Sequence, residues 1–161
     1  MFKDKKILTP KKIVLSIVLL VFLATCIIFK PVKLDNMFMY PQFEEDDILA
    51  VNRFSYKFSD IKRGDIVYVK LPNSNRYDIR RIVGLPGEHL KIENGHIYIN
   101  GKKRNEDYLI YDTNGDLDNT VPDGKFFIFG DNRPIDDVET DYFISSENII
   151  GKVSFRIYPL K

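Results

Sequence analysis

The chain has 161 residues, a single domain's worth, with a net formal charge of +1 and one cysteine. The lone Cys26 excludes an intrachain disulfide and any cysteine-based zinc site. Residues 1–12 carry five lysines against Asp4, whereas residues 31–161 hold 18 Lys/Arg and 22 Asp/Glu, so the larger part is mildly acidic, has no basic cluster and argues against nucleic acid as a partner.

In chain order, the first element is an uncharged apolar run from Ile13 to Phe29. Its length suits a short membrane-spanning helix, and Lys11, Lys12 and Lys30 can snorkel to the two interfaces. The basic run lies before it, so the positive-inside rule places residues 1–12 in the cytoplasm. Residues 13–29 then form a transmembrane anchor, and residues 30–161 form an extracytoplasmic domain. No Ala-x-Ala follows, which favours an uncleaved anchor over a removed signal peptide. Leu23-Ala24-Thr25-Cys26 is a poor lipoprotein site, because Thr25 fits badly and apolar residues continue past the cysteine. A Cys26 facing lipid or a partner helix is the plainer reading.

Beyond Lys33, alternation and turn signals dominate. Strands are predicted over residues 47–52, 65–70, 77–83, 90–93, 96–99, 126–129 and 152–158. Gly84-Leu85-Pro86-Gly87 is a tight turn, and Asn94-Gly95 is a hairpin turn. His89 and His96 decorate that hairpin and have no metal-ligand spacing. The polar stretch from Asn105 to Val121 reads as a surface excursion. The expected class is mainly β, an antiparallel sheet system behind one N-terminal helix. No cofactor and no metal are expected.

Three blocks follow the apolar run in order: Met39-Tyr40-Pro41, Arg80 to Glu88, and Phe129-Gly130-Asp131-Asn132-Arg133. With Asp46-Asp47-Ile48, Arg63-Gly64-Asp65, Tyr98-Ile99-Asn100-Gly101-Lys102, Val121-Pro122-Asp123 and Gly151, the chain resembles the type I signal peptidases over nearly all of residues 30–160. The single anchor and short outer domain resemble the Gram-positive branch. The resemblance implies a membrane-bound serine protease frame, in which a Ser nucleophile stands three residues before the proline and a Lys general base opens the second block.

Here the nucleophile position is Phe38 and the base position is Arg80. Phenylalanine offers no nucleophilic atom, and arginine does not lose its proton in proteins. No Ser or Thr occurs from Pro31 to Arg53 to substitute by slippage. The family also places a Ser beside the Lys, where this chain has Asp136. An Arg80–Asp136 ion pair is expected there, with a solvated loop charge as the bland alternative for Asp136. Arg81, Asp131, Asn132 and Arg133 read as structural residues of the loop.

The family's extended substrate pairs between two strands, which implies peptide contacts at Phe38, Met39, Tyr40, Pro41, Asp78, Ile79 and Arg80. The cluster Met37, Phe38, Met39, Tyr40 and Phe43 is expected at a membrane-facing edge, with core packing as the alternative. The resemblance is to the inactive, signal peptidase-like members. It implies a non-catalytic accessory in secretion or surface-protein assembly, pili included. Its partners would be the cytoplasmic membrane and exported preproteins or surface and pilus proteins. A signal peptidase with an unusual catalytic arrangement is the alternative.

Overall fold

The computed structural model describes residues 9–72, 75–133 and 142–160. Helix α1 (Pro10–Ile28) is begun by a proline in its first turn, carries no charge after Lys11 and Lys12, and has no buried residue. A helix apolar on all sides with no protein around it is suited to lipid, and α1 is long enough to cross a membrane once. Its end differs from the expected boundary. Phe29 leaves the helix and opens strand β1 (Phe29–Lys33), paired from Phe29↔Asn52 to Lys33↔Ile48 with β2 (Ile48–Asn52). The Arg53 side chain donates to the Ile27 carbonyl and its N–H donates to the Ile28 carbonyl, so the last helical acceptors are satisfied there.

The remaining elements are α2 (Ser55–Phe58), β3 (Ile66–Lys70), β4 (Tyr77–Gly84), β5 (His89–Glu93), β6 (His96–Ile99), β7 (Lys102–Lys103), β8 (Leu117–Thr120), β9 (Lys125–Phe129), β10 (Phe143–Ser145) and β11 (Ile149–Tyr158). They form a seven-stranded sheet in the order β1-β2-β11-β3-β4-β9-β10 and a four-stranded sheet in the order β7-β6-β5-β8. Every recorded strand pair is antiparallel. The mainly β, antiparallel class read from the sequence is the class observed.

The turns form as their chemistry requires. Asn94 and Gly95 both take positive φ, at 51° and 80°, which is what a two-residue hairpin needs to match strand twist. Gly151 is a glycine for a different reason. A Cβ there would stand 2.4 Å from the Asn52 carbonyl oxygen, where β11 crosses close to β2.

Three apolar clusters hold the sheets. One, under the first strands, joins Leu34, Met39, Phe43, Leu49, Val51, Tyr68, Ile79 and Val153. Another packs the small sheet against β9 through Val83, Leu90, Ile92, Ile97, Val121, Phe127 and Phe129. Met39 and Phe43 therefore belong to the core, which corrects their expected place at a membrane-facing edge. Met37 alone of that group is a large apolar side chain with substantial exposure, at 38%. The reason is local: the Phe43 N–H donates to the Met39 carbonyl, and this turn folds the segment back beneath the sheet.

The stretch 105–121 is also less peripheral than expected. It contributes β8, which pairs with β5, and it buries Thr113.

Candidate functional site

The site is built on β4 and the turn segment before β2. Strand β4 is buried along nearly its whole length. It pairs with β3 from Tyr77 to Arg81, but with β9 only from Arg81 to Gly84. Among the described residues, the other edge of β4 from Tyr77 to Arg80 has no ladder strand.

Asp78 and Arg80 are two residues apart on a strand, so their side chains leave the same face. They form an ion pair there, Arg80 Nη1 to Asp78 Oδ2 at 2.8 Å, with side-chain exposures of only 5% and 2%. Arg80 Nη1 also donates to the Ile79 carbonyl at 3.2 Å. Asp78 Oδ1 accepts from the Ile79 N–H at 2.7 Å and from Asn36 Nδ2 at 3.1 Å.

Phe38 caps this pair. The Arg80 guanidinium carbon lies 4.0 Å from the Phe38 ring centroid, a cation–π stack. Met39, next in the chain, packs in the cluster that contains Ile79. Phe38 and Met39 thus fall on opposite faces of β4, and the turn segment straddles its edge. Bonds that hold the turn include Phe38 N–H to Asn36 Oδ1, Asn132 N–H to the Phe38 carbonyl at 2.8 Å, and Asn132 Nδ2 to the Met37 carbonyl at 3.1 Å.

Phe38 to Pro41 lie in turns, because local bonds such as Tyr40 N–H to the Met37 carbonyl curl the backbone. The side chains of Met39 and Ile79 are in the core, at 0% and 1% exposure. Asp136 lies outside the described residues, and so does the expected Arg80–Asp136 pair. Among the described residues, the carboxylate on Arg80 is that of Asp78.

A second polar knot supports the site from behind. Arg81 grips Asp131 through two bonds, Nε–Oδ1 at 2.8 Å and Nη2–Oδ2 at 2.6 Å, the fork geometry that favours arginine. Burial works against the Arg81 charge, and its bonds with Asp131 more than restore it, raising its pKa. Burial pushes the Asp131 carboxyl above its ordinary range against the pull of Arg81. Arg133, fully buried, donates to Glu106 and Thr113 and to the Gly130 carbonyl. Tyr108 lies 4.1 Å from the Arg81 guanidinium, and burial, then Glu106, raises its pKa.

Asn36 was not among the residues singled out from the sequence, nor were Glu106, Tyr108 and Thr113. Asn36 has a readable signal: its oxygen takes the N–H two residues on, the Asx-turn spacing. The other three are joined to the site by long-range contacts that no local pattern reveals.

Chemically, Phe38 carries no hydroxyl and Arg80 no neutral amine. Arg80 is a buried, ion-paired cation that cannot take a proton. Among the described residues, no group of three or more His, Cys, Asp or Glu is placed to hold a metal. His89 instead faces Asp118 on the outer hairpin.

Comparison with known proteins agrees with this frame. The family model described as signal peptidase, peptidase S26, matches residues 7–158. Signal peptidase I U of Bacillus subtilis is 32% identical over 172 residues, covering 98% of this chain and 91% of that protein. Signal peptidase IB of Staphylococcus aureus is 30% identical, covering 87% and 83%. The crystal structure of a signal peptidase I from Enterococcus faecalis V583 superposes with a TM-score of 0.54 at 29% identity, over 60% of this chain and 98% of that one.

Proposed function

Because the chain belongs to the S26 signal peptidase family, we propose that it is a family member that has kept the frame and given up the reaction. Its role on this reading is that of a non-catalytic accessory in secretion or surface-protein assembly. The observation that carries the proposal is the Phe38–Arg80–Asp78 stack. An aromatic ring lies on a buried guanidinium that is paired with a carboxylate, where the family resemblance implies a serine beside a neutral lysine. A serine protease step needs an attacking oxygen and a base to take its proton; Phe38 supplies no such oxygen, and Arg80, at the base position, cannot take the proton.

What the site retains is shape. Among the described residues the β4 edge from Tyr77 to Ile79 has no ladder strand, and an extended peptide adds as a strand to an edge of that kind. Tyr77, at 48% exposure, and the half-buried Phe38 flank that edge. Exported preproteins or surface proteins, including pilus subunits, are the substrates' counterparts as bound clients. On this reading residues 1–12 lie in the cytoplasm, α1 is the anchor and the β domain is outside.

A photo-crosslinking residue placed at Tyr77 tests this in membranes that contain an exported preprotein. The expected product joins the chain to uncut preprotein. Accumulation of the mature product, or no adduct with any preprotein or surface protein, would overturn the reading.

A further inference from the structure

The edge of β4 is not bare at its centre. On an antiparallel strand, successive residues turn their N–H and C=O groups to one neighbour and then to the other. On β4 the alternation is fixed from both ends of its ladder with β3. The Arg76 carbonyl accepts from the Leu71 N–H, the Ile82 carbonyl accepts from the Gly64 N–H, and the Ile82 N–H donates to the Asp65 carbonyl. Arg76, Asp78, Arg80 and Ile82 therefore turn their backbone groups to β3. Those of Tyr77 and Ile79 turn the other way, to the edge that has no ladder strand among the described residues.

At Ile79 both of these groups have side-chain partners. The Ile79 N–H donates to Asp78 Oδ1 at 2.7 Å, and the Ile79 carbonyl accepts from Arg80 Nη1 at 3.2 Å. A carboxylate oxygen stands where an added strand would bring a carbonyl, and a guanidinium N–H stands where it would bring an amide. The two caps are joined by the buried 2.8 Å ion pair. They are also fastened to the turn before β2, where Asn36 Nδ2 donates to Asp78 Oδ1 and the Phe38 ring covers the Arg80 guanidinium.

We propose that the Asp78–Arg80 pair substitutes for one residue of a bound strand and closes the β4 edge at Ile79 until a client displaces it, a step that rests on reading that edge as the client site. A client strand laid along Tyr77 reaches the Ile79 backbone only by moving both caps together, because parting them leaves a buried charge unpaired. That cost falls on every client alike. Weakly pairing segments are refused, and the edge does not capture strands indiscriminately.

The double substitution Asp78→Ala with Arg80→Leu removes both caps and both charges, so no lone buried charge is left to unfold the chain. The first readout needs no client: amide hydrogen exchange of the full chain in lipid nanodiscs, read by NMR. The Ile79 amide is expected to exchange about tenfold faster in the double variant than in the unchanged chain. The Ile82 amide, bonded to the Asp65 carbonyl, is expected to keep its rate and so report an intact ladder. An unchanged Ile79 rate would overturn the proposal. The second readout is photo-crosslinking to an exported preprotein, with the reactive residue in place of Tyr77. The double variant is expected to give about threefold more adduct, as an edge freed from competition would. Equal or lower yield beside faster Ile79 exchange would overturn the proposal and leave the edge as a client site. No adduct from either protein would overturn the proposal together with the client reading.

Discussion

At the scale of residues, the site is a packed trio: the Phe38 ring lies on the Arg80 guanidinium, and Arg80 is paired with Asp78. The stack and the ion pair each stabilise by modest amounts, and the ion pair sits where solvent scarcely competes. Asp78→Ala removes a charge-assisted partner from the buried Arg80. Arg80 keeps its bond to the Ile79 carbonyl and the Phe38 face. The loss is therefore expected to be about 1.5–3 kcal/mol, read as a shift in denaturant midpoint. A shift within error of zero would show that the pair is energetically idle.

The absence of a nucleophile at Phe38 and of a base at Arg80 was legible in the sequence, because each is a property of one side chain in a known register. The pairing of Arg80 with Asp78 was not. Asp78 sits two residues away on a strand, and only the strand's placement in the sheet shows that both side chains are buried together. The Asn36 turn that presents Phe38 was legible in principle and was passed over.

At the scale of elements, strands bounded by strong turn chemistry were readable. The hairpin at Asn94-Gly95 and the strand Tyr77–Gly84 are examples. Elements whose pairing alone defines them were not. Strand β1 hides at the end of an apolar run and becomes a strand because β2 is there to pair with it. Strand β8, in a polar stretch, does so because β5 is beside it.

The turn after β4 also carries a titration. Burial works to raise the Glu88 pKa, but bonds from Arg63 and the Leu85 N–H outweigh it and hold the carboxyl below its ordinary range. A depressed folded pKa contributes stability that is present above the unfolded value, about 4.3, and fades as pH falls through the folded value. Glu88→Gln is therefore expected to lower stability at neutral pH and to flatten the loss below about pH 4.3. Parallel stability–pH curves for the two proteins would contradict that origin.

At the scale of the whole molecule, the fold is a double-sheet body joined to one apolar helix, with the candidate site on a strand edge that has no ladder partner among the described residues. The five lysines of residues 1–12 set the expected orientation, with the β domain outside. Protease added to intact protoplasts is expected to remove that domain, and its protection would reverse the topology. The most direct measurement is of the reaction itself. The purified full chain would be incubated in lipid with an exported preprotein across a range of pH, beside a catalytically competent signal peptidase. The expected result is intact preprotein at every pH with this chain and mature product with the control. Mature product formed by this chain, and lost on Asp78→Ala or Arg80→Ala, would contradict the claim that the site has given up its chemistry.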